Sequence, residues 1–287
     1  MKIVVGSILL VAMSVLAQQA QNPSPMVEHT RAHPRLEKQT PTGRREKLDL
    51  GTLFIPQKVK LKSHPTLLFF FHGGDWLPEL AAARQTNMAV VTVQAGAGSG
   101  TYAKLFSEPD RFLKLVAEAE SKGGVKFGSI ALGGWSAGCG AIREILKSPA
   151  SYDRINSILC VDGIHTGYVN GKPGPKESAI DTENLENWTK LGRDAIAGKK
   201  RMVVTHSEIF PGTFASTTET ADYLTEKWGL KPRSTAKWGP MKTQILSEVH
   251  QGKLLVVGFA GNSAPDHVDE LHSLPEYLKW LMTGHGA

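Results

Sequence analysis

The segment IALGGWSAGCG places a serine where its hydroxyl could act as a nucleophile. Ser136 lies between Gly134 and Gly138, and small residues two positions before and after a serine allow the tight turn that lifts its hydroxyl clear of the backbone. Chance alone produces this spacing about once in ten chains of this length. The residues on either side must therefore show whether the serine is a nucleophile. A strand pattern at 129–132 precedes the serine and a helical pattern follows it, which favours a nucleophile with helix N–H groups directed towards it.

The segment FFFHGGDW offers the donors that acyl transfer needs where a carbonyl oxygen becomes negative. A glycine pair directly after a buried strand lets the backbone approach the reacting group closely. We expect N–H groups of Gly73, Gly74 and Asp75, together with that of Ala137, to form an oxyanion hole. The alternative is a turn that only ends the strand. His72 is expected to fix this loop rather than act as a base.

Short apolar runs alternate with helical patterns from about residue 47 to the end of the chain. Runs without in/out alternation belong to strands covered on both faces, and helices between them imply right-handed crossovers. The pattern predicts an α/β fold with a mostly parallel sheet and helices on both faces. Residues 166–199 interrupt it as a small insertion after strand six, either a cap over the site or a surface loop.

The order strand, HGG, helix, strand, helix, strand with GWSAG, helix resembles the α/β-hydrolase family from about residue 47 onward. The resemblance implies that Ser136 is the nucleophile and that the acid and the histidine follow it in that order. It also implies a histidine after the last strand and before the final helix, which favours His267, with His272 as the alternative. Lipase and esterase members often read HGGG, whereas Asp75 stands at the third position here.

Two carboxylates at strand ends are candidates for the acid that orients the histidine. Asp162 directly follows the apolar run SILCV, and a carboxylate there needs a partner to offset its desolvation. Glu208 follows the strand that the family uses most often, a few residues past its apolar part. We place Asp162 first and keep Glu208 as the alternative.

Residues that could contact substrate at the rim of the site are Asp75, Trp76, Trp135 and Tyr102.

The first twenty residues, MKIVVGSILLVAMSVLAQQA, are typical of a secretory signal. We expect a signal peptide at 1–17, a disordered polar leader at 18–46 and the folded domain at 47–287. An uncleaved membrane anchor is the alternative. The protein is therefore expected to be secreted or periplasmic, without membrane contact after cleavage.

Cys139 and Cys160 each lie in an apolar element and are interpreted as two buried thiols, although export would permit one bridge.

The composition excludes several other functions. The formal charge of +6 is spread over 287 residues, and no basic stripe with interleaved aromatic residues indicates a nucleic-acid partner. The ten histidines do not cluster at metal-ligand spacing, and we expect neither a metal nor a cofactor.

The sequence thus predicts an exported serine hydrolase that cleaves carboxylic esters through a covalent acyl-enzyme. Its substrate would be a small-molecule or polymer-derived ester. A serine peptidase with the same triad is one alternative, and a non-catalytic binding protein of this fold is another.

Overall fold

Ten strands form one mixed sheet in the computed structural model, which describes residues 32–58, 63–171 and 179–284. The predicted signal peptide, 1–17, lies outside the described residues. Within them, no helix combines the length and apolar character needed to cross a bilayer. In chain order the strands are β1 (Gly43–Lys47), β2 (Thr52–Pro56), β3 (Thr66–Phe71), β4 (Met88–Val93), β5 (Ser129–Trp135), β6 (Ser157–Val161), β7 (Arg201–Ser207), β8 (Arg233–Trp238), β9 (Gln244–Gln251) and β10 (Leu254–Phe259).

The strand order is β1-β2-β4-β3-β5-β6-β7-β10-β9-β8. The central strands β4, β3, β5, β6, β7 and β10 are parallel, and antiparallel pairs lie at both edges. The predicted α/β architecture is confirmed. The edge strands β8 and β9 were not predicted, because their residues are partly exposed and polar and give no apolar run.

Both faces of the sheet carry an apolar core, which explains the uninterrupted apolar strands. In β3, Leu67, Phe69 and Phe71 pack into one core, whereas Leu68 and Phe70 pack into the other. Every residue of β3 is buried. Side chains of a strand point alternately to opposite faces, so a strand covered on both sides is apolar at every position.

Helices supply the cover on both faces. Those described are α1 (Trp76–Ala83), α2 (Ser99–Lys104), α3 (Arg111–Gly123), α4 (Cys139–Ile145), α5 (Pro149–Arg154), α6 (Glu186–Ile196), α7 (Thr217–Lys227), α8 (Ala264–His272) and α9 (Leu274–Thr283). Helices α3, α4, α6 and α7 contribute to the first core, and α1 and α9 to the second. Helix α7 begins with a capping box between Ser216 and Glu219, as its sequence predicts.

The folded part of the chain begins before residue 47. Strand β1 pairs with β2, and the segment before it is tied to α8 by side chains. His33 Nδ1 lies 2.6 Å from Asp269 Oδ2, and Arg35 Nε donates to Asp269 Oδ1 at 3.0 Å. The boundary predicted at 47 is therefore too late, because polar and ionic contacts of this kind leave no hydrophobic period in the sequence.

The predicted insertion at 166–199 is mostly ordinary crossover structure. Helix α6 lies within it and connects β6 to β7, with Trp188 and Leu191 buried in the first core. The residues that depart from a plain connection are 163–171 and 179–185, while 172–178 lie outside the described part of the chain.

Cys139 and Cys160 form a disulfide, so the interpretation as two free thiols is wrong. Strand pairing places Gly134 opposite Cys160, and the turn after β5 returns Cys139 above that position. Neither adjacency can be read from the spacing of two cysteines. The bond ties the segment just after Ser136 to the strand that ends just before Asp162.

Candidate active site

Ser136 lies on a strained turn at the carboxyl end of β5. Its φ is +50°, a value that non-glycine residues seldom adopt, and a 3₁₀ turn, Ser136–Gly138, leads directly into α4. The flanking glycines are required by contact: a Cβ on Gly138 would lie 2.0 Å from the carbonyl oxygen of Phe71. This is the strand, turn and helix arrangement that exposes a nucleophilic serine.

His267 and Asp162 form a hydrogen-bonded pair beside this turn. His267 Nδ1 lies 2.6 Å from Asp162 Oδ2. Asp162 follows β6 directly and is 2% exposed. The other predicted acid, Glu208, is exposed and has a long contact of 3.4 Å from Thr218 Oγ1. Asp162, not Glu208, is therefore the carboxylate placed on the histidine.

The surroundings of Asp162 keep its carboxylate ionised. Burial by itself raises the pKa, but hydrogen bonds with His267, Thr217 and Ser207 outweigh it and lower the pKa of Asp162 to about 2. Ser207 donates from its backbone N–H at 3.1 Å and from its hydroxyl at 2.8 Å, and the hydroxyl of Thr217 donates at 2.5 Å. A buried carboxylate with this many donors is a strong acceptor for an imidazole N–H.

The predicted base lies in a helix rather than in a loop. His267 is in the first turns of α8, which begins with a capping box between Ser263 and Asp266. The indole of Trp135 stacks on the His267 ring at 4.6 Å and donates from Nε1 to the His267 carbonyl oxygen at 3.0 Å. Trp135, next to Ser136 in sequence, therefore fixes the position of the His267 ring.

The alternative base, His272, lies outside this arrangement. Its Nδ1 accepts a hydrogen bond from the backbone N–H of Leu36 at 3.0 Å, and its ring contacts Trp76 edge-on. His272 and Trp76 thus belong to the docking of the N-terminal segment.

Two cavities meet at Ser136. The first, of about 580 Å³, contains Asp162 and His267 together with an apolar wall; that wall consists of Ile209, Phe210, Pro211, Phe214 and Ala264. The second, of about 440 Å³, contains Ala137 and a group of polar side chains. The first volume lies within the range of small-molecule sites.

The HGG loop departs from the predicted oxyanion hole. His72, Gly73 and Gly74 all have positive φ, and a Cβ on Gly73 would lie 2.7 Å from Leu271. The Gly74 N–H donates to the side chain of Gln94 at 3.2 Å. Neither glycine is among the described residues lining the two cavities, whereas Ala137 lines the second. The Gly74 N–H therefore points to the Gln94 side chain and not to an oxyanion at Ser136.

The four residues predicted to contact substrate do not line either cavity that meets at Ser136. Tyr102 is completely buried, since its ring fills the core below the HGG loop. Its hydroxyl accepts from the Ala95 N–H and contacts His72 Nδ1, both at 3.0 Å. Asp75 is exposed at the start of α1. Tyr102 and Trp135 act as supports rather than as pocket walls.

His72 connects Tyr102 and Trp135, the latter in contact with His267. Its ring stacks on Trp135 at 5.1 Å, on a side chain that itself stacks on His267. Burial lowers the pKa of His72, and the nearby His267 lowers it further, which favours the neutral ring that accepts a hydrogen bond from the Tyr102 hydroxyl. The prediction that His72 fixes the loop agrees with these contacts.

One cluster among the described residues offers three potential metal ligands close together: His33, Asp266 and Asp269. Asp269 is already paired with Arg35, and Asp266 accepts from the Ser263 hydroxyl at 2.6 Å. The bonds of Asp269 join the N-terminal segment to α8, the helix that carries His267, and that of Asp266 caps the start of the same helix.

Another buried carboxyl group, that of Glu270, lies in the same helix as His267. Burial, reinforced by the charge on Asp162, raises the pKa of Glu270 well above its ordinary value, and the Tyr277 hydroxyl donates to it at 2.8 Å. The folded protein therefore retains a proton that the unfolded chain releases. Stability must fall as the pH rises from the ordinary glutamate value towards the folded one.

Replacing Glu270 with glutamine is expected to remove this loss of folding stability at rising pH. The slope attributable to one proton is at most about 1.4 kcal/mol per pH unit, so the Tm of Glu270→Gln should improve relative to wild type as the pH rises from 5 to 8. Thermal unfolding measured across this range tests it. The exposed Glu276→Gln serves as control, and parallel Tm curves for Glu270→Gln and wild type contradict the prediction.

No family model and no curated protein sequence matches the chain. Solved structures do match. An acetyl xylan esterase from Aspergillus awamori is 13% identical, with 79% of this chain and 93% of that chain covered and a TM-score of 0.44. A carboxylesterase from Bacillus subtilis is 8% identical, with 85% and 92% covered and a TM-score of 0.47. Esterase 2 from Thermogutta terrifontis, phosphonylated by cyclosarin, is 13% identical, with 87% and 97% covered and a TM-score of 0.48.

Proposed function

We propose that this protein is a serine hydrolase that cleaves carboxylic esters through a covalent acyl-enzyme. One observation carries the proposal: Ser136, on its positive-φ turn, shares a cavity with the hydrogen-bonded pair of His267 and Asp162. A nucleophile, an orienting acid and a base that follow one another in this chain order, with the first two at strand ends, form a catalytic triad.

In the proposed reaction, Ser136 Oγ attacks the ester carbonyl carbon while His267 Nε2 accepts the serine proton. Asp162 remains ionised and stabilises the imidazolium. The N–H of Ala137, a residue that lines the second cavity, stabilises the oxyanion. The tetrahedral intermediate collapses as His267 returns the proton to the leaving alkoxide, and the acyl group remains on Ser136. Water, deprotonated by His267, then attacks the acyl-enzyme and releases the acid and free serine.

The choice of ester over peptide is tested by substrate rates. Hydrolysis of p-nitrophenyl esters of increasing chain length is compared with that of peptide p-nitroanilides, and labelling by a fluorophosphonate reports the nucleophile. We expect labelling and faster turnover of the esters. Preference for the anilides would favour a peptidase, and a wild-type protein that neither labels nor turns over would leave a binding protein of this fold.

Export is part of the proposal. The signal-like segment 1–17 supports it, and so does the bond between Cys139 and Cys160, because disulfides persist in oxidising compartments. The secreted or periplasmic protein should begin at Gln18 on N-terminal sequencing, whereas an N terminus at Met1 overturns the assignment.

A further inference from the structure

The second cavity at Ser136 holds an arginine that pairs with no acid of the described residues. Arg143 lies on α4, two turns after the nucleophile, and is half-buried. Its Nε is buried without a hydrogen bond, and no described carboxylate forms an ion pair with it. Six other arginines are paired with acids: Arg35, Arg44, Arg45, Arg111, Arg154 and Arg233. A guanidinium nitrogen that is withdrawn from water without a hydrogen-bond acceptor is costly unless a ligand supplies one.

The rest of the cavity also suits an anion. Arg143 is the one charged side chain among its described lining residues, and none of these is a carboxylate. His165 lies beside it with a buried Nδ1 that has no partner, and burial lowers the pKa of His165 to about 4, so that ring is neutral. Asn184 adds a side-chain amide that makes no hydrogen bond to described residues. Polar groups that have no partner among the described residues therefore line this space.

The position of His267 assigns the two cavities to the two halves of an ester. The base must protonate the leaving alkoxide, so the alcohol part lies on the His267 side, and His267 lines the first cavity. The second cavity lacks His267 among its described residues but contains Ala137, the oxyanion donor. The acyl part of the substrate accordingly extends into the second cavity, towards Arg143.

We propose that Arg143 binds a carboxylate on the acyl chain of the substrate, so that the enzyme prefers half-esters of dicarboxylic acids. The inference rests on the proposed ester hydrolysis and deepens it. The planar guanidinium matches a carboxylate with two parallel hydrogen bonds. The apolar wall of the first cavity accommodates a hydrophobic alcohol on the other side of the scissile bond.

The test compares two esters of nearly equal shape, monobutyl glutarate and butyl 5-methylhexanoate, in which an isopropyl group replaces the carboxylate. Release of butanol gives kcat/KM for each. Wild type should prefer the anionic ester by about 10- to 100-fold, the range expected for a hydrogen-bonded charge. Arg143→Gln should abolish the preference and Arg143→Lys should retain part of it. Arg84→Gln, the same change at an exposed arginine after α1, should keep the wild-type ratio.

Each outcome either supports or overturns the carboxylate subsite at Arg143. Equal rates for the two esters in wild type, or a preference that survives in Arg143→Gln, overturns the subsite while leaving ester hydrolysis intact. If Arg143→Gln fails to fold, the ratio of kcat/KM for the two esters, measured in wild type and in Arg143→Lys, still tests the subsite. Failure to hydrolyse either ester, together with absence of fluorophosphonate labelling, overturns the proposed function and the subsite with it.

Discussion

Ser136→Ala is expected to lower kcat for ester hydrolysis by at least about 10⁴-fold and to abolish labelling by a fluorophosphonate. The substitution removes the hydroxyl that forms the acyl-enzyme, while the His267 and Asp162 pair remains. Residual turnover would come from the oxyanion donors and from substrate binding alone. Because alanine and serine tolerate a φ of +50° about equally badly, the turn and the overall stability should change little.

Steady-state rates and probe labelling on the purified variant measure this effect, with the Tm as a check on folding. Ser121→Ala, the same change on helix α3, is the matched control and should match wild type in both readouts. Labelling of Ser136→Ala at the wild-type level would show that another residue is the nucleophile.

The sequence predicted the elements around Ser136 well, for a physical reason. The apolar runs of β3 and β5 lie between two cores, so their burial leaves a strong local signal in the residue types. Gly134 is required by a contact local to the turn, with the backbone of Gly138 and Cys139, whereas Gly138 is required by its contact with Phe71 on the neighbouring strand β3. A pattern created by neighbours in sequence can be read from sequence.

The acid partner could not be decided in this way. Asp162 and Glu208 both follow parallel strands whose ends meet at the same edge of the sheet, and both are candidates on position alone. What separates them is a set of donors from distant segments, Ser207 and Thr217, which surround Asp162. Glu208 lies only a residue past β7 but on the exposed side.

The remaining differences between the predicted and the observed site also come from contacts between distant segments. The Gly74 N–H is bound to Gln94, Tyr102 is buried under His72, and Arg35 reaches Asp269 across more than two hundred residues. Each is a single polar contact between segments far apart in the chain. Such contacts follow from the fold and leave no periodic pattern from which they could be predicted.

Asp162→Asn is expected to lower kcat by about 10³- to 10⁴-fold. Asparagine presents an amide N–H₂ or a weaker carbonyl acceptor to His267 Nδ1, so the imidazole loses the carboxylate that fixes its tautomer and stabilises its charged form. Glu208→Gln is the matched control and should stay within about 2-fold of wild type, since Glu208 is exposed and touches only Thr218 weakly. An equal loss in the two variants would contradict the assignment of the acid.

The same variant should differ from wild type in acid stability. The pKa of Asp162 is lowered from its ordinary 3.8 to about 2, so the ionised group stabilises the folded state above pH 4, by about 2 kcal/mol. That contribution disappears as the pH falls from about 4 to about 2, and asparagine, which does not titrate, never has it. The Tm of wild type should therefore drop towards that of Asp162→Asn over this interval, whereas the difference between them should stay constant from pH 5 to 7. Parallel curves down to pH 2 would mean that the carboxylate is not held by its donors, and the orienting role assigned to Asp162 would lose its electrostatic basis.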